Sequence, residues 1–489
     1  MKASVIFSVI FAASLFFVGC AAFLVTRKDR KVDVDLGVPS VDLTTADQLL
    51  WSLPLAILLA GLITGFNFVG WRVAKARGLW GLLAILACVD IAKAGDWPQI
   101  LGPQRNGRAA DDERIAGQFP DGGPRIIWKV KVGQGHAGPA VADGSIIVFH
   151  RLDHRETVEC LDAATGERRW SFDYPTDYRD DFGFDEGPRA VPTIHNGRIY
   201  TYGAAGMLHA LDLTSGQPVW SVDTVKRFGS RKGFFGRACS PLVDGDLLIV
   251  QVGGIDGSGI VAFEKESGDV RWTATDDEAG YSSPTAATIN GRRLILALTR
   301  EGLVTIDPAD GAVLFRKRFR SSTHASVNAA TPVVLGHHVF LTASYNTGAA
   351  LWHLAPTGAR EVWANDQTLS SQYTTPVPHD GFLYGLHGRQ DAPPRPMLRC
   401  IEIETGRPRW STEPLGAGSL ILADAKLVVL TEDGELILAP ASPAGFRPTA
   451  RAQILGFHTR ALPALSNGRF YARDPKQLIC VDLRPQAGQ

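Results

Sequence analysis

The sequence predicts an all-β fold, an eight-bladed β-propeller, preceded by N-terminal transmembrane helices. Three observations lead there. A short element ending in tryptophan returns about every 45 residues. A second mark, proline followed by Asp-Gly or Asn-Gly between apolar runs, returns out of phase with it. Upstream of residue 95, two uncharged stretches are each long enough to cross a bilayer.

The chain divides into residues 1–94, a membrane anchor, and 95–489, the repeat domain. Ala3–Val25 and Leu49–Gly70 carry no charge and reach the ~20 residues that a spanning helix needs. A shorter run, about 79–92, follows Arg72, Lys75 and Arg77 and precedes "AKA". It reads as an export signal with a small-x-small cleavage site or as a short third membrane segment. "FVGC" at Cys20 and "ILAC" at Cys88 are weak lipoprotein boxes. Either reading places the repeat domain on the extracytoplasmic, periplasmic side of the cell membrane.

The tryptophan element reads "LDAATGERRW" to Trp170, "LDLTSGQPVW" to Trp220, "FEKESGDVRW" to Trp272 and "IEIETGRPRW" to Trp410. "IDPADGAVLF" puts Phe315 in the same place, "LAPTGAREVW" is a distorted copy ending at Trp363, and Trp128 lies one period before Trp170. Asp162 and Thr165 can satisfy turn amides, and Gly166 can take a positive φ cheaply. The expectation is that each tryptophan opens the next blade and fills the wedge between two sheets.

The second mark fixes the number of blades. Its prolines are 139, 192, 241, 284, 332, 376 and 463, and a proline-free copy, "GAGSLILADAKLVVL", fills the long last gap. Runs such as "GRIYTYG" have the period of a strand, and the Asn-Gly and Asp-Gly junctions are hairpin turns. Four short strands per repeat predict radially packed sheets around a channel. The ring must hide its open edges, so "RIIWKVKV" is expected to complete the sheet begun by "RFYARDPKQLICVDL".

Lys+Arg and Asp+Glu are both 50, so the chain lacks the basic balance of a nucleic-acid binder. Cys160, Cys239, Cys400 and Cys480 form no CxxC or CxxCH pattern, so no zinc ribbon or c-type haem site is encoded, and Cys160, Cys400 and Cys480 read as small buried hydrophobes, not as disulfides. "GQGHAG" (133–138) matches a dinucleotide fingerprint in letters only, because Pro139 and a strand follow where a helix is required.

The Asp-x-x-Thr/Ser-Gly-x-x-x-Trp element resembles the tryptophan-docking motif of pyrroloquinoline-quinone (PQQ)-like propellers. That superfamily includes quinoprotein alcohol dehydrogenases and the BamB assembly lipoproteins. Trp128, Trp170, Trp220, Trp272, Phe315, Trp363 and Trp410 are then the docking residues. "DWPQILGPQRNGR" (96–108) is similar to the start of bacterial PQQ-like repeat proteins. The resemblance implies PQQ with calcium as a possible cofactor. The vicinal cysteine pair that many quinoproteins carry is missing here.

Ligands of propellers bind at the axial mouth, so the column three residues before each proline supplies the candidate site. It gives His136, Arg189, Tyr281, Tyr373 and Arg460, and one residue earlier Arg237 and Asn328. Such a cationic rim suits a carboxylate or phosphate. It serves equally to bond backbone carbonyls of neighbouring blades, and both readings stand. "DDE" (276–278), Asp185 and Glu186 read as solvated loop acids, and His337-His338 as an exposed turn. No catalytic or metal residue is assigned. The function expected is a binding or interaction scaffold in the cell envelope, with a protein or small anion at the mouth. The alternative is a PQQ-dependent dehydrogenase.

Overall fold

The structure, a computed structural model, describes residues 95–355 and 358–485. The expected membrane segments 3–25, 49–70 and 79–92 lie outside the described residues. Among the described residues no helix is long and apolar enough to cross a membrane.

Eight four-stranded antiparallel sheets form, seven of them simple meanders. Blade 1 is β2 (Ala140–Ala142), β3 (Ser145–Leu152), β4 (Arg155–Asp162) and β5 (Arg168–Pro175). Blades 2 to 7 repeat this plan from Thr193 to Gln453. Blade 8 combines β30 (Ala464–Ser466), β31 (Arg469–Arg473) and β32 (Gln477–Asp482) with β1 (Ile126–Lys131) from the other end of the domain. Trp128 pairs with Cys480 and Lys131 with Gln477 across that seam. The predicted closure is therefore the one that forms.

The first strand of each blade is innermost. The short strands β2, β6 (Thr193–His195), β10 (Leu242–Asp244) and β30 touch their counterparts in adjacent blades. Apolar clusters lie between neighbouring sheets, one spanning blades 1 and 2, the next blades 2 and 3, and so on round the ring. Both faces of the middle strands are covered, so "RIYTY" (Arg198–Tyr202) is buried at four consecutive positions. The alternation read from the sequence holds on outer strands such as β5 and is lost on these middle strands, because two-sided burial selects continuous apolar runs.

The tryptophans do not open the next blade, as expected from sequence. Trp170 lies on β5, the outer strand of its own blade. Its indole N–H donates forward to the Leu213 carbonyl of blade 2 at 2.9 Å. Its ring lies on Gly216, where a Cβ would come within 2.4 Å of it and φ is +70°. Trp128, Trp220, Trp272 and Trp363 make the same bond to Ala163, Lys265, Pro308 and Ile403, each over a positive-φ glycine. Trp410 bonds Ser442 and packs on Phe446.

Residues 96–108 cross the axis at the end of the ring that carries the docking turns. Trp97 exchanges two backbone bonds with Val141 of blade 1, and the Pro98 carbonyl accepts from Ile194 of blade 2. The Arg105 guanidinium donates to the Pro241 and Ser240 carbonyls of blade 3. Gly107 and Ala109 bracket Leu422 of blade 7 with backbone bonds. The inner strands of four blades are thus tied to one segment, which closes that end of the channel.

Candidate binding site at the propeller mouth

The opposite end, where each outer strand passes to the next inner strand, is the mouth. Its floor is a ring of hydroxyls at pre-proline positions. Ser240 Oγ accepts from the Val191 amide, Ser283 Oγ from the Ser240 amide, and Thr375 Oγ1 from the Thr331 amide. Each bond satisfies a buried N–H just before the inner strand of the neighbouring blade, which would otherwise lack a partner. The Ser-Pro and Thr-Pro pairs in the sequence signal this ring, which the rim column passes over.

Much of the rim column is consumed in holding the ring together. Buried Arg237 donates to the Ser230 carbonyl at 2.6 Å and to Ala205 at 3.3 Å. Asn328 Nδ2 donates to the Thr299 and Phe319 carbonyls at 2.9 and 2.8 Å. The Tyr281 hydroxyl accepts the Phe234 and Phe235 amides, and Arg460 Nε donates to Glu432 at 2.7 Å. These four side chains bond within the protein.

A smaller group remains around His136. Burial pushes its imidazole down to about 4; nearby Asp185 opposes that shift, and the guanidinium groups of Arg189, Arg460 and Arg473 add to it. Arg473 is fully buried and its Nη1 has no partner. Arg189 approaches Asp180 at 3.5 Å and donates to the Asp185 carbonyl. The Tyr373 hydroxyl also lacks a partner, and burial raises its pKa, with Glu432 adding to the rise and Arg460 opposing it. The structure thus brings His136, Arg189 and Arg460 together and leaves Arg237 and Asn328 in separate backbone contacts.

The acid clusters resolve into ion pairs. Asp277 is buried, pairs with Arg316 and accepts from Thr299 Oγ1, so it is not a solvated loop acid. Glu278 pairs with Arg300 and Arg231, and Glu186 with Arg179. Cys160, Cys400 and Cys480 are buried, as expected, and so is Cys239; all four are free.

The sequence reading missed an aromatic patch beside the rim. Phe182 and Phe184, from the loop joining blades 1 and 2, are 51% and 63% exposed. They meet Phe234 and Phe235 from the loop joining blades 2 and 3, with Phe182 5.2 Å from Phe235 between ring centroids. Arg189 and Arg300 lie over Phe235 and Phe234 at 5.7 and 4.9 Å. The available signal was Phe-Gly-Phe inside an otherwise charged loop, echoed by Phe-Phe in the following one.

Calcium beside PQQ would draw on the carboxylates of the mouth. Among the described residues no group of three His, Cys, Asp or Glu side chains is arranged about a metal position. The nearest mouth carboxylates are tied to guanidinium or amide groups: Asp185 accepts from Gly135 and Gly187, and Glu432 from Arg460.

Comparison with known proteins agrees with the fold. The chain is 21% identical to the outer membrane protein assembly factor BamB of Moranella endobia, over 51% of this chain and 63% of that protein. It is 29% identical to the dehydrogenase subunit of a quinone alcohol dehydrogenase from Komagataeibacter europaeus, over 31% of this chain. That match spans only 21% of the subunit's length. The crystal structure of BamB from Moraxella catarrhalis superposes with a TM-score of 0.56, at 16% identity, over 73% of this chain and 99% of that one. A family model described as outer membrane protein assembly factor BamB matches residues 154–411, just over half of the sequence. The chain therefore belongs to the BamB family of PQQ-like repeat propellers.

Proposed function

We propose that this chain is a membrane-tethered, extracytoplasmic propeller that acts as a binding scaffold in the cell envelope and takes a protein partner on its mouth face. The aromatic patch carries the reading. Phe182 and Phe184 leave large apolar surface in water, at roughly 25 cal/mol per Å², and a contiguous patch rimmed by charge marks an interaction site. Membership of a family described as an assembly factor supports a protein partner and an extracytoplasmic location. The uncharged stretches 3–25 and 49–70 support the tether. The cations around His136 support a small carboxylate or phosphate as a second ligand at the same mouth.

Photo-crosslinking in the cell of origin tests the scaffold. A crosslinker at Phe184 is expected to give a discrete adduct, and one at exposed Val219 on the outer strand of blade 2 none. Equal adducts at both positions, or none at Phe184, overturn the reading.

The similarity to quinone alcohol dehydrogenase subunits favours a second reading, a PQQ-dependent oxidoreductase. Titrating the full chain with PQQ and Ca²⁺, followed by absorbance and dye-coupled alcohol oxidation, separates the two. Saturable binding with turnover replaces the scaffold reading.

A further inference from the structure

Three successive loops of the mouth place an apolar side chain on each side of the His136 group. Phe457, in the loop that joins blades 7 and 8, is 55% exposed, and its ring stacks on that of His458 at 4.1 Å between centroids. Three residues on, Arg460 enters the rim. His136 follows from the loop between blades 8 and 1. Arg189 follows from the loop between blades 1 and 2, which also carries Phe182 and Phe184. Round the mouth the order is thus apolar, cationic, apolar. Arg189 makes the surface continuous: its guanidinium lies 5.7 Å from the Phe235 ring centroid, and its charge acts on His136.

We infer that the partner presents an acidic side chain flanked by apolar ones. Its carboxylate meets Arg460 and Arg189 beside His136, with one apolar residue on Phe457 and another on the patch around Phe184. This rests on the protein-partner reading of the mouth face and names the chemistry of that partner. An excess of unmatched donors carries it. Arg460 bonds through Nε, to Glu432, and 21% of its side chain stays exposed. Arg189 keeps 12% of its side chain exposed and reaches its carboxylate, Asp180, only at 3.5 Å. His136 bonds through its backbone amide, to the Pro188 carbonyl. Arg473 donates to the Gly133 and Asp474 carbonyls, and its buried Nη1 has no partner, so its charge adds to the field without meeting a carboxylate. The acids alongside have spent their oxygens on backbone amides: Asp185 accepts from Gly135 and Gly187, and Asp474 from Lys476 and Gln477. A carboxylate brings acceptor oxygens and no donor, so it matches this group where an amide or a hydroxyl does not. Arginines set among aromatic side chains are also the usual energetic centre of a protein interface.

The test is photo-crosslinking of the full chain in the cell of origin, with the crosslinker at Phe184 and, in a second strain, at Phe457. Both positions are expected to trap the same protein. Digestion of the two adducts is expected to map them to one short segment, with Asp or Glu between the two attachment points. Arg460→Gln and Phe457→Ser are each expected to lower the Phe184 adduct about tenfold, while Val219→Ser, on the outer strand of blade 2, leaves it unchanged. Thermal melts of the variants check that the ring still folds. Phe457 is exposed, so Phe457→Ser and the mapped segment decide the matter even if leaving buried Glu432 without Arg460 unfolds the other variant. A Phe184 adduct that survives both substitutions overturns this inference and leaves the scaffold reading standing. So does a different protein trapped at Phe457, or a mapped segment without an acid between the two points. No adduct at Phe184 overturns both.

Discussion

The joint between blades 1 and 2 and the joint between blades 4 and 5 solve one packing problem in opposite directions. In the first, Trp170 reaches forward from the outer strand, bonds the Leu213 carbonyl and lies on Gly216. In the second, Phe315 stands in the forward position and is half-buried. The large indole there comes from the receiving blade: Trp352, on the third strand of blade 5, is 2% exposed and meets Phe319 edge-on at 6.2 Å. The motif glycine of blade 5, Gly358, has no positive φ, and a Cβ on it would meet nothing within 4 Å. What the ring requires is a filled wedge between twisted sheets. The docking motif is one way to fill it.

The largest expected effect isolates that substitution of roles. Trp352→Ala should lower stability by about 3–5 kcal/mol, the cost of removing a fully buried indole. Phe315→Ala at the same joint should cost clearly less, because that ring is partly solvated. Thermal or urea unfolding of the two variants decides it, and a Phe315 effect equal to that of Trp352 would restore the forward-docking rule to this joint.

The glycines give the sharper contrast. Gly216→Ala forces a side chain into positive φ and into the Trp170 ring. Backbone strain and overpacking each cost about 1–3 kcal/mol, so a loss of about 3 kcal/mol is expected. Gly358→Ala should change stability by no more than about 0.5 kcal/mol. Gly216 lies four residues before its blade's tryptophan and Gly358 five before its own, so equal melting shifts would show that this altered turn geometry of blade 5 has no consequence. Smaller again is Trp220→Phe, which keeps a ring over Gly268 and removes the 2.9 Å bond to Lys265. It should cost about 1 kcal/mol, and a larger loss would assign the joint to the hydrogen bond.

The contrast between joints also explains how much the sequence disclosed. Eight blades, the seam through Trp128 and the positions of the docking residues were legible, because each rests on a local element repeated in register. The strand that carries each tryptophan was not. "LDAATGERRW" gives a turn and an aromatic, but the blade boundary falls later, at the proline column. The rim residues were legible as a column, while their partners were not: Tyr281 meets Phe234 across 47 positions, and no local pattern encodes that. The aromatic patch was hidden because Phe182 and Phe184 lie in a loop dominated by acids, and only the neighbouring loop brings Phe234 and Phe235 to them.

Acidification should separate the joints last and least. His209 of blade 2 packs on Phe172 and Tyr174 of blade 1, at 5.3 and 4.4 Å. Its Nδ1 pairs with Ser221 and its Nε2 has no partner. Burial lowers its pKa to about 4, so the unfolded chain takes up a proton near pH 6.5 that the folded chain refuses. Stability from this group is therefore full above about pH 6.5 and falls as pH drops toward 4, by a little under 1 kcal/mol at about pH 6. The turn acids Asp162 and Asp212 have depressed pKa values through their bonds to Arg169 and to the Ser215 amide; their contribution is present above about pH 4 and is lost below it. Glu156, buried against Tyr174 at the same joint, runs the other way: burial raises its pKa, and the stability it favours is lost as pH rises through that raised pKa. Between pH 7 and 5.5 the turn acids, with lowered pKa values, stay ionised and Glu156 acts in the opposite sense, so the loss on acidification at this joint belongs to His209. A His209→Phe variant should flatten the decline in melting temperature over that interval, and Gly358→Ala should leave the slope as it is. An unchanged slope in His209→Phe would place the acid sensitivity elsewhere, with His150 and His136, lowered likewise by burial, the next groups to remove.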